Sequence, residues 1–393
     1  MNYNFDEIIE RCGTGCEKWD ATPPYAANSK SEAGNDMLPM WVADMDFAVA
    51  PAIADAVARR AQHPIYGYTH ISSEYYDAVQ RWFARRHHWT IEREWMLYTT
   101  GVVPALSATI KALTMPGERV ILMTPVYNCF FSSLRNNGCE MAEVPLNVSE
   151  NGTTCPMDVL ESQCADERTT LFVLCNPHNP VGHVWSREEL ETISAICHRH
   201  SVQIVSDEIH CELVYRGRYV PMGTIDDSAV ILTSASKSFN IAGLQMANIV
   251  AKDPVVRHRI NRAININEIC DVNPFGPVAT IAAYNDSEEW LDALLEYLEG
   301  NFTALCKYIS SEMPGLRVMP LEGTYLVWVD ITSTGMKSNA LQRRLLETSG
   351  LWVSSGTIYG RPSGEGYLRI NIACPRSMMM EGLERMKRVI DNL

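Results

Sequence analysis

The sequence has no excess of positive charge, no apolar run long enough to cross a bilayer, no low-complexity linker and no internal repeat. Its 33 Lys and Arg stand against 47 Asp and Glu, a formal net charge of −14. That balance argues against nucleic acid as a partner, because neutralising phosphates needs a basic footprint. The missing apolar span argues against a transmembrane helix and a membrane role. The opening run Met1-Asn2-Tyr3-Asn4-Phe5-Asp6-Glu7 lacks the basic stretch and apolar core of a secretory signal. The 12 cysteines are therefore expected to be reduced thiols in a cytoplasmic protein, not a disulfide framework. Metal-ligand spacing is also poor: neither Cys12 with Cys16 nor His198 with His200 is followed by a second pair, so no metal is expected.

What is present is a chain of 393 residues, 46% hydrophobic and 20% charged, too long for one compact core and without a linker between separate beads. Short apolar runs bounded by turn residues recur at 120–123, 171–174, 203–206, 230–232 and 247–250, and read as buried strands. Helix-like stretches lie between several of them. In one, Ser186 is placed to cap a helix and Glu189 to close a capping box. Strand and helix in alternation predict an α/β fold with a mainly parallel sheet covered on both faces. Near Ser287 the pattern changes to a long amphipathic helix and then to strands around 325–329 and 367–371, as in a smaller α+β domain.

Ligands of such sheets gather at the carboxyl ends of the strands, and five groups fall there. Lys237 sits in Thr233-Ser234-Ala235-Ser236-Lys237-Ser238-Phe239-Asn240, just after an apolar strand. A partly desolvated lysine becomes a nucleophile able to form a Schiff base; the plainer reading is a loop lysine bonded to its hydroxyl neighbours. Thr100-Gly101-Val102-Val103-Pro104 leads into a helix around 107–113 and offers free N–H groups to a phosphate, or is a simple left-handed connection. Tyr127 could stack on a flat ligand or sit in the core with its hydroxyl paired. Asn176-Pro177-His178-Asn179-Pro180 forms a tight turn able to aim an amide inward. Asp207, after the run Gln203-Ile204-Val205, could keep a pyridine nitrogen protonated, or cap the next helix.

In this order and at these strand ends, Gly101, Tyr127, Asn179, Asp207 and Lys237 resemble the class I/II aminotransferase superfamily, the fold-type I enzymes dependent on pyridoxal 5'-phosphate. The likeness extends to Val353-Ser354-Ser355-Gly356 and to Tyr367-Leu368-Arg369-Ile370-Asn371. It implies a large domain, 49–286, with a mainly parallel seven-stranded sheet, a smaller α+β domain, 287–393, and an N-terminal arm, 1–48, packed with the latter. It also implies roles. Lys237 would bond the cofactor, Asp207 would face the pyridine nitrogen, Asn179 and His210 would meet polar groups of the cofactor, and Tyr127 would stack on the ring. Val102, Val103, Ser234 and Ser236 would hold the phosphate, joined by Tyr68 from the other subunit of a homodimer. Arg369 would grip the substrate carboxylate beside Ala43, Tyr127 and Asn179.

Two departures narrow the likeness. Gln245 stands where many aminotransferases carry a phosphate-binding arginine, and His210 where they carry a tyrosine. With Leu38-Pro39-Met40-Trp41-Val42-Ala43-Asp44-Met45-Asp46-Phe47 these resemble the cystathionine β-lyase branch, which includes proteins that modulate maltose regulation. That branch implies a carbon–sulfur lyase in which the freed Lys237 takes the Cα proton of a substrate such as L-cystathionine, a thiol leaves from Cβ, and pyruvate and ammonia result. Transamination on the same architecture, and a regulator that binds a transcription factor, are the alternatives. Trp41, Tyr66 and Tyr359 are candidates to line the pocket beyond Cβ, or core aromatics.

Overall fold

Along each central strand successive side chains point to opposite faces, and the computed structural model, which describes residues 3–22, 37–266 and 271–393, buries both faces. Val120 and Leu122 join one apolar cluster, with the helices Val102–Leu113 and Asn128–Asn136, while Ile121 and Met123 join the other. Double burial is why these strands read as continuous apolar runs instead of alternating ones.

The central sheet has seven strands: β1 (Met96–Thr99), β2 (Arg119–Thr124), β3 (Glu140–Pro145), β4 (Thr169–Cys175), β5 (Gln203–Asp207), β6 (Val230–Thr233) and β7 (Ala247–Val250). Their order is β1-β7-β6-β5-β4-β2-β3. β2, β3, β4, β5 and β6 pair in parallel, and β7 runs antiparallel to both β6 and β1. A second sheet, antiparallel throughout, is formed by β8 (Arg317–Val318), β9 (Leu326–Asp330), β10 (Ser354–Ser355) and β11 (Tyr367–Asn371), in the order β8-β9-β11-β10. The long helix Glu288–Glu312 precedes it and buries Trp290, Leu291, Leu294 and Leu298.

The helix Arg187–Arg199 carries the expected capping box, with both the Ser186 and Glu189 side chains bonded. The helix at the phosphate turn differs from expectation. It begins at Val102 rather than near Ser107, with Gly101 as its N-cap, so its first free N–H groups lie at the strand end. Near the N-terminus, Leu38–Pro39 pairs in parallel with Leu351–Trp352, and the strap 41–47 then passes over the sheet ends. The described cysteines are free thiols, and no described helix is long and apolar enough to cross a membrane.

Candidate active site

The carboxyl ends of β5 and β6, the turn after β1 and the turn after β4 enclose one cavity. It is lined by Ala43, Gly101, Val102, Val103, Tyr127, Asn179, Asp207, His210, Ser236 and Lys237, all singled out from the sequence. Each arrives by a local rule. Gly101 has φ 155° and ψ 166°, a conformation reserved for glycine, and it turns the chain from β1 straight into the helix Val102–Leu113. The first N–H groups of that helix have no partner within it and face the cavity with the positive end of its dipole. Tyr127 follows β2 as the N-cap of Asn128–Asn136. Asp207 ends β5, where its Oδ1 accepts the Ile209 N–H at 3.1 Å; this is a local turn and no helix follows to be capped.

Lys237 lies half-buried, its Nζ donating to the Ala43 carbonyl at 2.6 Å. Burial lowers its pKa, and nearby Arg369 acts in the same direction. That is the condition a nucleophilic amine requires. Asp207 is 4% exposed, and desolvation pushes its carboxyl up to about 7, held back by the Ile209 N–H and by Lys237. The His210 imidazole is pushed down to about 3 by burial and then by Lys237 and Arg369, so it is neutral. Its Nδ1 is buried without a partner, as is Arg369 Nε. Buried polar atoms of this kind need a partner. A ligand with a ring nitrogen, a ring oxygen and a phosphate offers partners for Asp207, for Asn179 and His210, and for the helix N-terminus, so these residues fit the expected cofactor.

Arg369 lies on β11 at the edge of this cavity. One Nη donates to Asn179 Oδ1 at 3.2 Å and the other to the Trp41 carbonyl at 2.6 Å, and the guanidinium stands 4.6 Å over the Tyr359 ring. It is 4% exposed, with no carboxylate paired to it among the described contacts.

Other expected members stand elsewhere. Ser234 does not line the cavity: its hydroxyl donates to the Met246 carbonyl at 2.5 Å and accepts the Ser236 N–H at 3.0 Å, so it pins the turn and leaves Ser236 facing the cavity. Tyr68 is 97% exposed and does not reach the cavity of its own chain. Gln245 is exposed at φ 54°, outside the lining. Trp41 stacks on Trp352 at 4.3 Å, Tyr66 is exposed and packs on Phe275, and Tyr359 is buried beneath Arg369.

Sequence reasoning missed the groups that hold the strap. Asn371 Nδ2 donates to the Val42 and Asp44 carbonyls, Asn240 bonds Met45 and Phe47, and the Tyr325 hydroxyl shares the Ala43 carbonyl with Lys237. Their partners are backbone atoms 193 to 329 residues away, for which no local pattern exists. It also missed Cys175 and Ala242 in the lining; Cys175 ends β4, and its strand-end position was the available signal.

Among the described residues, His87, Cys211 and Glu212 form a group that could hold a metal ion. The Glu212 carboxylate already accepts from Trp82 at 2.6 Å, meets His87 at 2.7 Å and pairs with Arg86 at 3.3 Å, which makes it a saturated ion-pair hub.

The family described as aminotransferase class I and II matches residues 35–386. The chain is 37% identical over 392 residues to cystathionine β-lyase PatB of Bacillus subtilis strain 168, covering 98% of this chain and 100% of that protein. It is 33% identical to protein MalY of Escherichia coli K12, covering 97% of each. Among solved structures, cystalysin of Treponema denticola, which contains pyridoxal 5'-phosphate, superposes with a TM-score of 0.94 at 32% identity over 100% of both chains.

Proposed function

The chain belongs to the class I and II aminotransferase family, and from that premise we propose that it is a pyridoxal 5'-phosphate-dependent carbon–sulfur β-lyase acting on L-cystathionine or a related cysteine S-conjugate. The observation that carries this reading is the meeting of Lys237, Asp207 and the N-terminus of the helix Val102–Leu113 on one cavity. The name of the Bacillus subtilis relative supports the choice of lyase over transaminase.

Pyridoxal phosphate, when bound, supplies an aldehyde carbon for an amine and a ring that withdraws the electron pair released at Cα. The side chains do the rest. Asp207 would face the ring nitrogen and, ionised by that positive partner, would keep it protonated. Tyr127 would cover the ring, Asn179 and His210 would meet its polar edge, and Ser236 with the Val102 and Val103 N–H groups would hold the phosphate. Arg369 exchanges the Trp41 carbonyl for the substrate α-carboxylate, which its planar fork matches better. That contact fixes the Cα–H bond relative to Lys237. The free Lys237 amine takes the Cα proton, the Cβ–S bond breaks, and Lys237 gives the proton to the departing sulfur as a thiol. Water then hydrolyses the remaining three-carbon enamine acid to pyruvate and ammonia.

The same reading makes the protein a homodimer in which Tyr68 reaches the phosphate of the partner's site. Ile65, Tyr66 and Tyr68, exposed together between the helices Pro51–Gln62 and Ser73–His87, suit burial against a second copy. It also divides the chain into an arm, 1–48, a cofactor-binding domain, 49–286, and a smaller domain, 287–393.

The test is a paired assay with added pyridoxal phosphate and L-cystathionine, following pyruvate and free thiol with and without a keto-acid acceptor. Equal yields of pyruvate and thiol without acceptor are expected. Turnover that needs the acceptor would make the protein an aminotransferase.

A further inference from the structure

One partly buried charge cluster has no part in the chemistry above. Arg11, Lys18, Asp44 and Asp46 meet beside the strap 41–47. Lys18 is 1% exposed, and its Nζ lies 2.5 Å from Asp46 Oδ2 and 3.6 Å from Asp44 Oδ1. The same Nζ donates to the Asp44 carbonyl at 3.4 Å. Arg11 spans both acids, with Nη2 at 2.6 Å from Asp44 Oδ2 and Nη1 at 2.5 Å from Asp46 Oδ1, and Nη1 also donates to the Met45 carbonyl at 3.1 Å. Trp19 Nε1 completes Asp46 at 2.8 Å. Burying Lys18 against Asp46, with the half-buried Arg11 and Asp44 beside them, adds little net stability compared with apolar packing. Its value lies in what it fixes, and it fixes the strap.

The Ala43 carbonyl of that strap accepts the Lys237 amine, and the next residue is Asp44, whose charge favours the ammonium form of Lys237. The other groups acting on Lys237 are Asp207 at the end of β5, His210 just after it, Arg369 on β11 and Cys129 after β2, with the Tyr325 hydroxyl on the shared carbonyl. Asp44 is the one among these that carries its own bound cations.

We propose that Arg11 and Lys18 are positioning residues for Lys237: they clamp the strap that holds the amine, and they neutralise Asp44 so that the amine gives up its proton more readily. The proposal rests on Lys237 being the reactive amine of the proposed lyase. It makes the N-terminal arm part of the proton machinery without contact with substrate.

The test compares Arg11→Gln, Asp44→Asn and the double variant. The pH dependence of Lys237 acylation is measured by peptide mass spectrometry on the full-length protein freed of cofactor, and the visible absorbance of the pyridoxal phosphate-loaded protein is titrated in parallel. Arg11→Gln removes the nearer of the two cations on Asp44 and leaves Lys18 at 3.6 Å, so the acylation midpoint should rise, by about one pH unit or less. Asp44→Asn should lower it, and the double variant should lose the rise. Equal midpoints in all forms, or shifts of the same sign in both single variants, would overturn the proposal, since loss of packing alone has no reason to change sign. If added pyridoxal phosphate gives no protein-bound visible band, the cofactor reading fails, while the acylation midpoints still decide the role of Arg11 and Asp44.

Discussion

Asp207 and Lys237 illustrate how burial prepares a residue for chemistry. Each is disfavoured in its charged form by desolvation, and each recovers part of that cost from the other. Without cofactor, Asp207 holds its proton up to about pH 7, well above an ordinary aspartate at about 3.9. The folded chain therefore binds more protons than the unfolded chain between these two values. The stabilisation is complete below the unfolded value and is lost as pH rises through about 7. Over that range the loss attributable to Asp207 is at most about 4 kcal/mol. Replacing Asp207 by Asn should flatten this dependence. Urea unfolding of the cofactor-free protein at pH 4.5 and 7.5 measures it, and an unchanged slope in Asp207→Asn would assign the dependence to other groups. Glu208, also pushed up to about 7 by burial, would then be the first to examine.

At the scale of elements, the helix Val102–Leu113 joins fold to function most directly. Its apolar side, Val102, Ala105, Leu106 and Ile110, packs on the sheet, and that packing aims its N-terminus at the cavity. Gly101 makes the entry possible. A β carbon there would find Pro104 Cδ at 3.5 Å, ordinary contact, so the cost of a side chain is conformational and not steric. Gly101→Ala should tilt the first helical turn and weaken pyridoxal phosphate binding about tenfold, on the order of 1.4 kcal/mol. Equilibrium dialysis against pyridoxal phosphate reads that change, and undiminished affinity would show that the phosphate is held by other groups. The Ser186–Glu189 capping box was legible because its signal lies within four consecutive residues. The start of the helix after Gly101 was misplaced because Val102 and Val103, both β-branched, are weak helix formers in isolation, whereas Pro104 suits the first turn where no N–H partner is needed. Burial of Val102 on the sheet overrides that preference.

For the whole molecule, Tyr68 carries the decisive question. An exposed tyrosine remote from its own cavity is useful to catalysis only if it serves a second copy. If it does, the Tyr68→Ala and Lys237→Ala defects fall on the same site of a mixed dimer. One site then bears both defects and the other bears neither. Mixing the two poorly active variants in equal amounts under exchange conditions should restore about one quarter of the unmodified activity, because half the dimers are mixed and each has one intact site of two. No recovery after demonstrated subunit exchange would place Tyr68 outside the partner's site.

The sequence by itself determined the α/β class, the central strands and the order Gly101, Tyr127, Asn179, Asp207, Lys237 at their ends. Each of these is written in a short run of residues whose physics is local: an apolar stretch, a turn glycine, a polar residue where a strand stops. Only the tertiary structure decided that Ser236, not Ser234, faces the cavity, because a bond to Met246 across the turn turns Ser234 away. It alone showed the strap 41–47 held over Lys237 by Asn240, Tyr325, Asn371 and the Arg11–Lys18 cluster. Those contacts join residues tens to hundreds of positions apart, and distance along the chain leaves no period or spacing from which they could be read.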